Sequence, residues 1–214
     1  MNPPAPLRSP WPVRAAALAT VALFLVLVAR FWHPVYGFTA FYQLDAANDD
    51  LKIAAFRDLP VFVYRDTGGY DGLYYAQIAH DPTLRRAELP RAMDNFSYRA
   101  RRILPPALAW LLGGGQPRGI VLAYALVNVL AWLGLAGVLW RLLAVRDFRG
   151  WFAWAGVLFS AGALSSVRLA LTDLVALAIL AAAILAAERH RKRTALATLA
   201  AAALARETSL AALA

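Results

Sequence analysis

Apolar and polar residues in this chain are segregated into long blocks rather than interleaved. Ala15 to Ala29 carries no charge and ends in Phe-Leu-Val-Leu-Val-Ala. As a helix such a run rises about 22 Å, short of a hydrocarbon core of about 30 Å. Pro12-Val13 and Phe31-Trp32 extend it, and Arg14 and Arg30 can snorkel to the headgroups, so a first span is expected over 13–32. A cleaved signal peptide shares the basic start and apolar core, but no small-x-small site follows, Phe38-Thr39-Ala40 being a poor one. Gly119 to Trp140 is uncharged throughout and is the clearest span, with Asn128 expected to face other helices. Trp151 to Val167 is a third run, with Trp151 and Trp154 placed at the headgroup level that indoles favour. Leu169 to Ala187 is a fourth, interrupted only by Asp173. A fifth starts at Thr194 and meets Arg206-Glu207-Thr208.

Between the first two runs lies the one long polar stretch, residues 33–118. Tyr42 to Phe56 reads as a short helix. Pro60 to Tyr64 is short, apolar and β-branched, and is followed by the turn-forming Gly68-Gly69. A helix is expected from Gly72 to about His80, closed by Asp81-Pro82, because a residue before proline avoids the helical region. Leu84 to Asp94 reads as charged loop. Tyr98 to Arg102 then leads through Ile103-Leu104-Pro105-Pro106 into Ala107 to Leu112, too short to span and read as a re-entrant or interfacial helix. Gly113-Gly114-Gly115 and Pro117 stop it. The expected fold is all-α: one membrane domain of polytopic transmembrane helices over 1–214, with a proline-rich tail (1–12), a first span (13–32), a long non-cytoplasmic first loop with short interfacial helices (33–118) and further spans (119–214).

Composition agrees with a chain built for lipid. Hydrophobic residues make up 61% and the mean hydropathy is +0.53, above what a soluble domain carries. The net charge of +9 raises nucleic acid as a partner, but no basic face stands apart from the apolar runs, so none is expected. The loops at 141–149 and 188–193 hold seven Lys or Arg between them, which the positive-inside rule places in the cytoplasm together with the N-terminus. An integral, multi-pass protein of a bacterial inner membrane is expected, in contact with membrane lipids. The absence of cysteine excludes disulfides and thiolate metal sites. His33, His80 and His190 are too scattered to suggest zinc. Other metals are neither indicated nor excluded. The abrupt end in a fifth apolar run suggests a fragment of a longer chain.

Nine of the thirteen acidic residues fall in the polar stretch. Asp71 follows a Gly-Gly turn and opens a helix, and the commonest role for such an aspartate is an N-cap. Tyr70-Asp71-Gly72-x-Tyr74-Tyr75-x-x-Ile78-Ala79-x-Asp81-Pro82 resembles the first-loop motif of multi-spanning GT-C-type glycosyltransferases, closest to a little-characterised bacterial group among them. Tyr98-Arg99-x-x-Arg102-Ile103-Leu104-x-Pro106, Leu171-Thr172-Asp173 and Arg206-Glu207-Thr208 follow in the order that group shows. The resemblance covers most of 35–214. It implies transfer of a sugar from a polyprenyl-phosphate donor to an acceptor on the non-cytoplasmic face. It also implies that Asp71 is the catalytic base or acceptor-positioning carboxylate.

The chemistry makes sense on its own ground. Transfer from a lipid phosphate needs a carboxylate to take the acceptor's proton and cations to stabilise the phosphate leaving group. Arg99, Arg101 and Arg102 are candidates for the donor phosphate, because a guanidinium can bind phosphate oxygens bidentately. Snorkelling to anionic headgroups explains them equally well. Tyr74 and Tyr75 lie beside them as donor-site residues. Asp66 and Asp94 are candidate second carboxylates or metal ligands, or simply solvated loop residues. A charge inside a span costs roughly 2.5–3.5 kcal/mol, so Asp173 is expected to face a cavity, a partner or nearby water. Arg206 and Glu207 are expected to pair with each other or with Asp173. Asn95-Phe96-Ser97 matches a glycosylation acceptor. A transporter or flippase fragment, and a non-catalytic membrane subunit, are the competing functions; a transporter would concentrate its polar residues at the midplane of broken helices.

Overall fold

A computed structural model describes residues 9–213; the first eight residues of the expected tail and Ala214 lie outside them. The described residues are helical, with no strand, and two isolated bridges pair His33 with Gly37 and Asp45 with Tyr64. Helix α1 (Trp11–Ala29) starts behind Pro10 and a second proline in its first turn, where a missing N–H costs nothing. Three short helices follow, α2 (Ala54–Arg57), α3 (Gly72–Ile78) and α4 (Phe96–Ala100). Helix α5 (Leu104–Leu112) turns tightly into α6 (Pro117–Leu142). A Cβ on Gly113 would meet Ile120 N at 2.4 Å, so this turn requires a glycine. Helices α7 (Phe148–Leu158), α8 (Ala161–Arg168), α9 (Asp173–Glu188) and α10 (Lys192–Ala205) complete the bundle.

Helix α6 is the axis of the bundle. It packs against α5, α7, α8 and α9, while α9 and α10 form an antiparallel hairpin and α1 lies against α7. Asn128 on α6 is buried and donates to the Leu171 carbonyl at 2.6 Å, the inward orientation expected of it. Trp132 stacks on Phe24 of α1 with ring centroids 3.8 Å apart. On the outside, Leu18, Val26, Leu122 and Leu130 are left exposed. Helices α1 and α6 are long and apolar enough to cross a membrane.

Three elements differ from expectation. The third run is broken, not straight: α7 and α8 meet at 42°, because Ser160 adopts an extended conformation and its hydroxyl caps Ala163 N–H. This bent pair counts as a third span only if its halves cross together. Trp154 is 2% exposed and donates to the Ala136 carbonyl, so it is an inter-helix joint rather than an interfacial indole. Trp151 likewise donates to Thr20 Oγ1 of α1. The helix expected over Tyr42–Phe56 is replaced by two 3₁₀ turns (Thr39–Tyr42 and Ala46–Leu51) and α2. Gln43 takes φ +50° between the turns, and the Asp45 carboxylate binds Ala47 N, Thr67 N and Thr67 Oγ1, which fixes a turn where a helix was open to it.

The polar stretch is folded onto the bundle, not draped beside it. Tyr42, Leu44, Ile53, Phe56, Leu73 and Ile78 are fully buried in one core continuous with Tyr124 and Trp132. Gln77 ties it across, its Oε1 accepting from Ile53 N and its Nε2 donating to Ala92 O. The helix expected from Gly72 forms, ends at Ile78, and packs on α5 and α6.

Candidate functional site

The expected N-cap at Asp71 is absent: its side chain makes no bond to the amides of α3. Both oxygens accept instead from Arg99, Oδ1 from Nη2 at 2.8 Å and Oδ2 from Nη1. Arg99 also donates to Asp94, Nε to Oδ1 at 3.1 Å and Nη2 to Oδ2 at 2.8 Å, and Nη1 reaches Tyr75 Oη at 3.5 Å. A guanidinium has five N–H donors, and all five of Arg99 have an acceptor. Its guanidinium is enclosed by the rings of Tyr74, Tyr75 and Tyr98 at 5.0, 5.6 and 5.4 Å.

The cation is inside and the anions are outside. The Arg99 side chain is 7% exposed, those of Asp71 and Asp94 36% and 50%. Burial alone lowers the Arg99 pKa, but the hydrogen bonds it donates to Asp94 and Asp71 outweigh it and the net direction is upward. The same bond holds the Asp94 carboxyl below its usual range. Burial, with Asp94 nearby, pushes the Tyr74 phenol up. Each Asp71 oxygen accepts one bond from Arg99, which leaves further lone pairs on the exposed side.

Local sequence explains the placement. Asn95 caps α4, its Oδ1 accepting from Tyr98 N at 3.0 Å. The helix then carries Arg99 inward beside Tyr98, and the following turn carries Arg102 inward as well. Gly72 permits the opposite wall: a Cβ there would lie 2.5 Å from Leu169 O and 3.2 Å from Tyr42 Cα.

Arg102 forms a second hub. It donates to Glu207 through Nε (3.1 Å) and Nη2 (3.0 Å), to Tyr75 Oη through Nη1 at 3.2 Å, and to Tyr98 Oη. The next residue back, Arg206, pairs with Asp173, the first residue of α9. One polar network therefore runs Asp71–Arg99–Tyr75–Arg102–Glu207, and the Arg206–Asp173 pair adjoins it through the backbone between Arg206 and Glu207. It joins the four motif stretches quoted from the sequence. Glu207 is paired with Arg102, and only Arg206 has Asp173 as its partner.

Two candidates lie apart. Arg101 is exposed, with no ion pair among the described residues. Asp66 stands on an exposed turn at φ +59°. Tyr98 opens the second motif but has no role assigned by the sequence, and its four-residue spacing from Arg102 is the available signal. No protein-family profile, curated protein or solved structure matches the chain.

Proposed function

We propose that the chain is a multi-pass membrane glycosyltransferase of GT-C type that takes a sugar from a polyprenyl-phosphate donor on the non-cytoplasmic face of a bacterial inner membrane. The N-terminus and the 141–149 and 188–193 loops are cytoplasmic in this reading, and the network around Asp71 faces the other side. The observation that carries it is the use of Asp71. An aspartate at a helix start is left uncapped, oriented through both oxygens by a buried arginine, and kept partly open to solvent.

Asp71 then accepts the proton of the acceptor hydroxyl as the acceptor oxygen bonds to the anomeric carbon. The bond from that carbon to the phosphate oxygen breaks, and its electron pair leaves with the lipid phosphate. Arg99 acts as the positioning residue, since its five donors are already engaged. Arg101, exposed on the same segment, is the cation available to the donor phosphate.

The test uses the chain in nanodiscs with a polyprenyl-phosphate sugar. Asp71→Asn should lower transfer about 100-fold, as expected for loss of a general base. Asp94→Asn removes an equivalent partner of Arg99 and should cost far less. Equal losses in the two variants, or near-normal transfer by Asp71→Asn, would overturn the assignment.

A further inference from the structure

A wide cleft of about 860 Å³ lies away from Asp71, at the end where α1 begins and α6 finishes. Its walls are apolar, with Leu18 and Val21 of α1 facing Leu133, Gly137 and Trp140 of α6, and Trp154 of α7 behind. Its mouth carries four arginines, Arg14, Arg141, Arg146 and Arg189, from four separate segments. None of its lining residues is acidic, and none of the four arginines has an ion pair among the described residues. Asp147, next to Arg146, instead caps α7 through Gly150 N at 2.7 Å.

The walls are fixed by specific bonds. Ser9 Oγ donates to the Val145 carbonyl at 2.6 Å, which ties the start of the described chain to the loop after α6. Trp154 Nε1 binds the Ala136 carbonyl at 2.8 Å, and its ring meets Trp140 edge-on at 5.4 Å. An apolar wall beside four guanidiniums that have no ion pair among the described residues suits a ligand that is anionic at one end and hydrocarbon at the other.

We propose that this cleft binds one anionic phospholipid, with its phosphodiester among Arg14, Arg141, Arg146 and Arg189 and an acyl chain along the wall of α1 and α6. Guanidinium forks match phosphate oxygens, and basic pockets between membrane helices are suited to anionic headgroups. A free phosphate would satisfy the arginines and leave the apolar wall unused. A zwitterionic lipid would place a fifth cation among the four arginines.

The detergent-purified chain is titrated with dioleoylphosphatidylglycerol, dioleoylphosphatidylcholine and inorganic phosphate, and bound lipid is counted by native mass spectrometry. Phosphatidylglycerol should be retained well above phosphatidylcholine. R141Q/R146Q/R189Q should weaken its binding by about 10-fold or more, given the attraction each cation contributes. Gly137→Phe is the second variant: a Cβ at Gly137 has open space around it, so the ring enters the cleft with every charge intact. It should also lower retention, while near-ultraviolet circular dichroism stays that of the parent. Equal retention of the two lipids would overturn the proposal. So would unchanged retention of phosphatidylglycerol in either variant, or displacement of phosphatidylglycerol by an equal concentration of inorganic phosphate.

Discussion

Arg102 grips the Glu207 carboxylate along its Nε–Nη2 edge, at 3.1 and 3.0 Å, across 105 residues of chain. This bond fastens the end of the α9–α10 hairpin to the segment that carries Arg99. Arg102 is buried, so removal of Glu207 leaves a guanidinium with only tyrosine oxygens for company. Glu207→Gln should cost about 1–3 kcal/mol, below the figure for a wholly buried pair because Glu207 is partly exposed. Denaturant unfolding of the purified chain measures it. A double-mutant cycle with Arg102→Gln should show coupling, and additive losses would mean the pair contributes nothing jointly.

At Gly72 the polar stretch closely approaches the turn before α9. The neighbours of an added Cβ are backbone atoms, Leu169 O at 2.5 Å and Tyr42 Cα at 3.2 Å, and backbone yields little. Gly72→Ala should therefore destabilise by about 1–3 kcal/mol, as overpacking does, even though alanine is the better helix former. A thermal midpoint equal to the parent's would show that the two segments separate easily.

His80 is buried against Phe56 with its Nε2 unpaired, and burial, with Arg86 nearby, lowers its pKa to about 4. The unfolded chain binds this proton near pH 6.5, the folded chain only near 4. Stability from the neutral ring is thus fully present above pH 6.5 and is lost as pH falls through that window, up to about 3 kcal/mol. His80→Phe keeps the apolar contact and should flatten the unfolding curve between pH 6.5 and 4. An unchanged slope would place the titration elsewhere.

Topology is tested by reporter tags. A tag after Gly114 should report the non-cytoplasmic side, and tags after Arg149 and Arg191 the cytoplasm, because those two loops hold the basic excess. A cytoplasmic signal at Gly114 would put Asp71 on the wrong side for a polyprenyl-phosphate donor displayed outside.

What the sequence determined is what depends on neighbours a few residues away. The uncharged run after Gly119 must be helical to satisfy its own amides in lipid, and α6 spans it. Asp81-Pro82 lies just beyond the end of α3, and a lone Asn128 in an apolar run had to find a partner. The pairing of Arg206 with Asp173 was among the expected ones, since both are charges flanking apolar runs. The tertiary structure decided everything that turns on competition between distant groups. An N-cap was the local optimum for Asp71, but a buried guanidinium 28 residues away binds both its oxygens and outcompetes two backbone amides. Arg99 and Arg102 turn inward and Arg101 outward: a three-residue spacing across the turn that ends α4 puts the first two on one side, and only packing sets that this side is the buried one. Trp154 left the interface for the core because Ala136 offered its indole a carbonyl. The helix expected over Tyr42–Phe56 gave way for a related reason: besides the local bond from Ala47 N, Asp45 accepts two from Thr67, 22 residues on and beyond the reach of any local pattern.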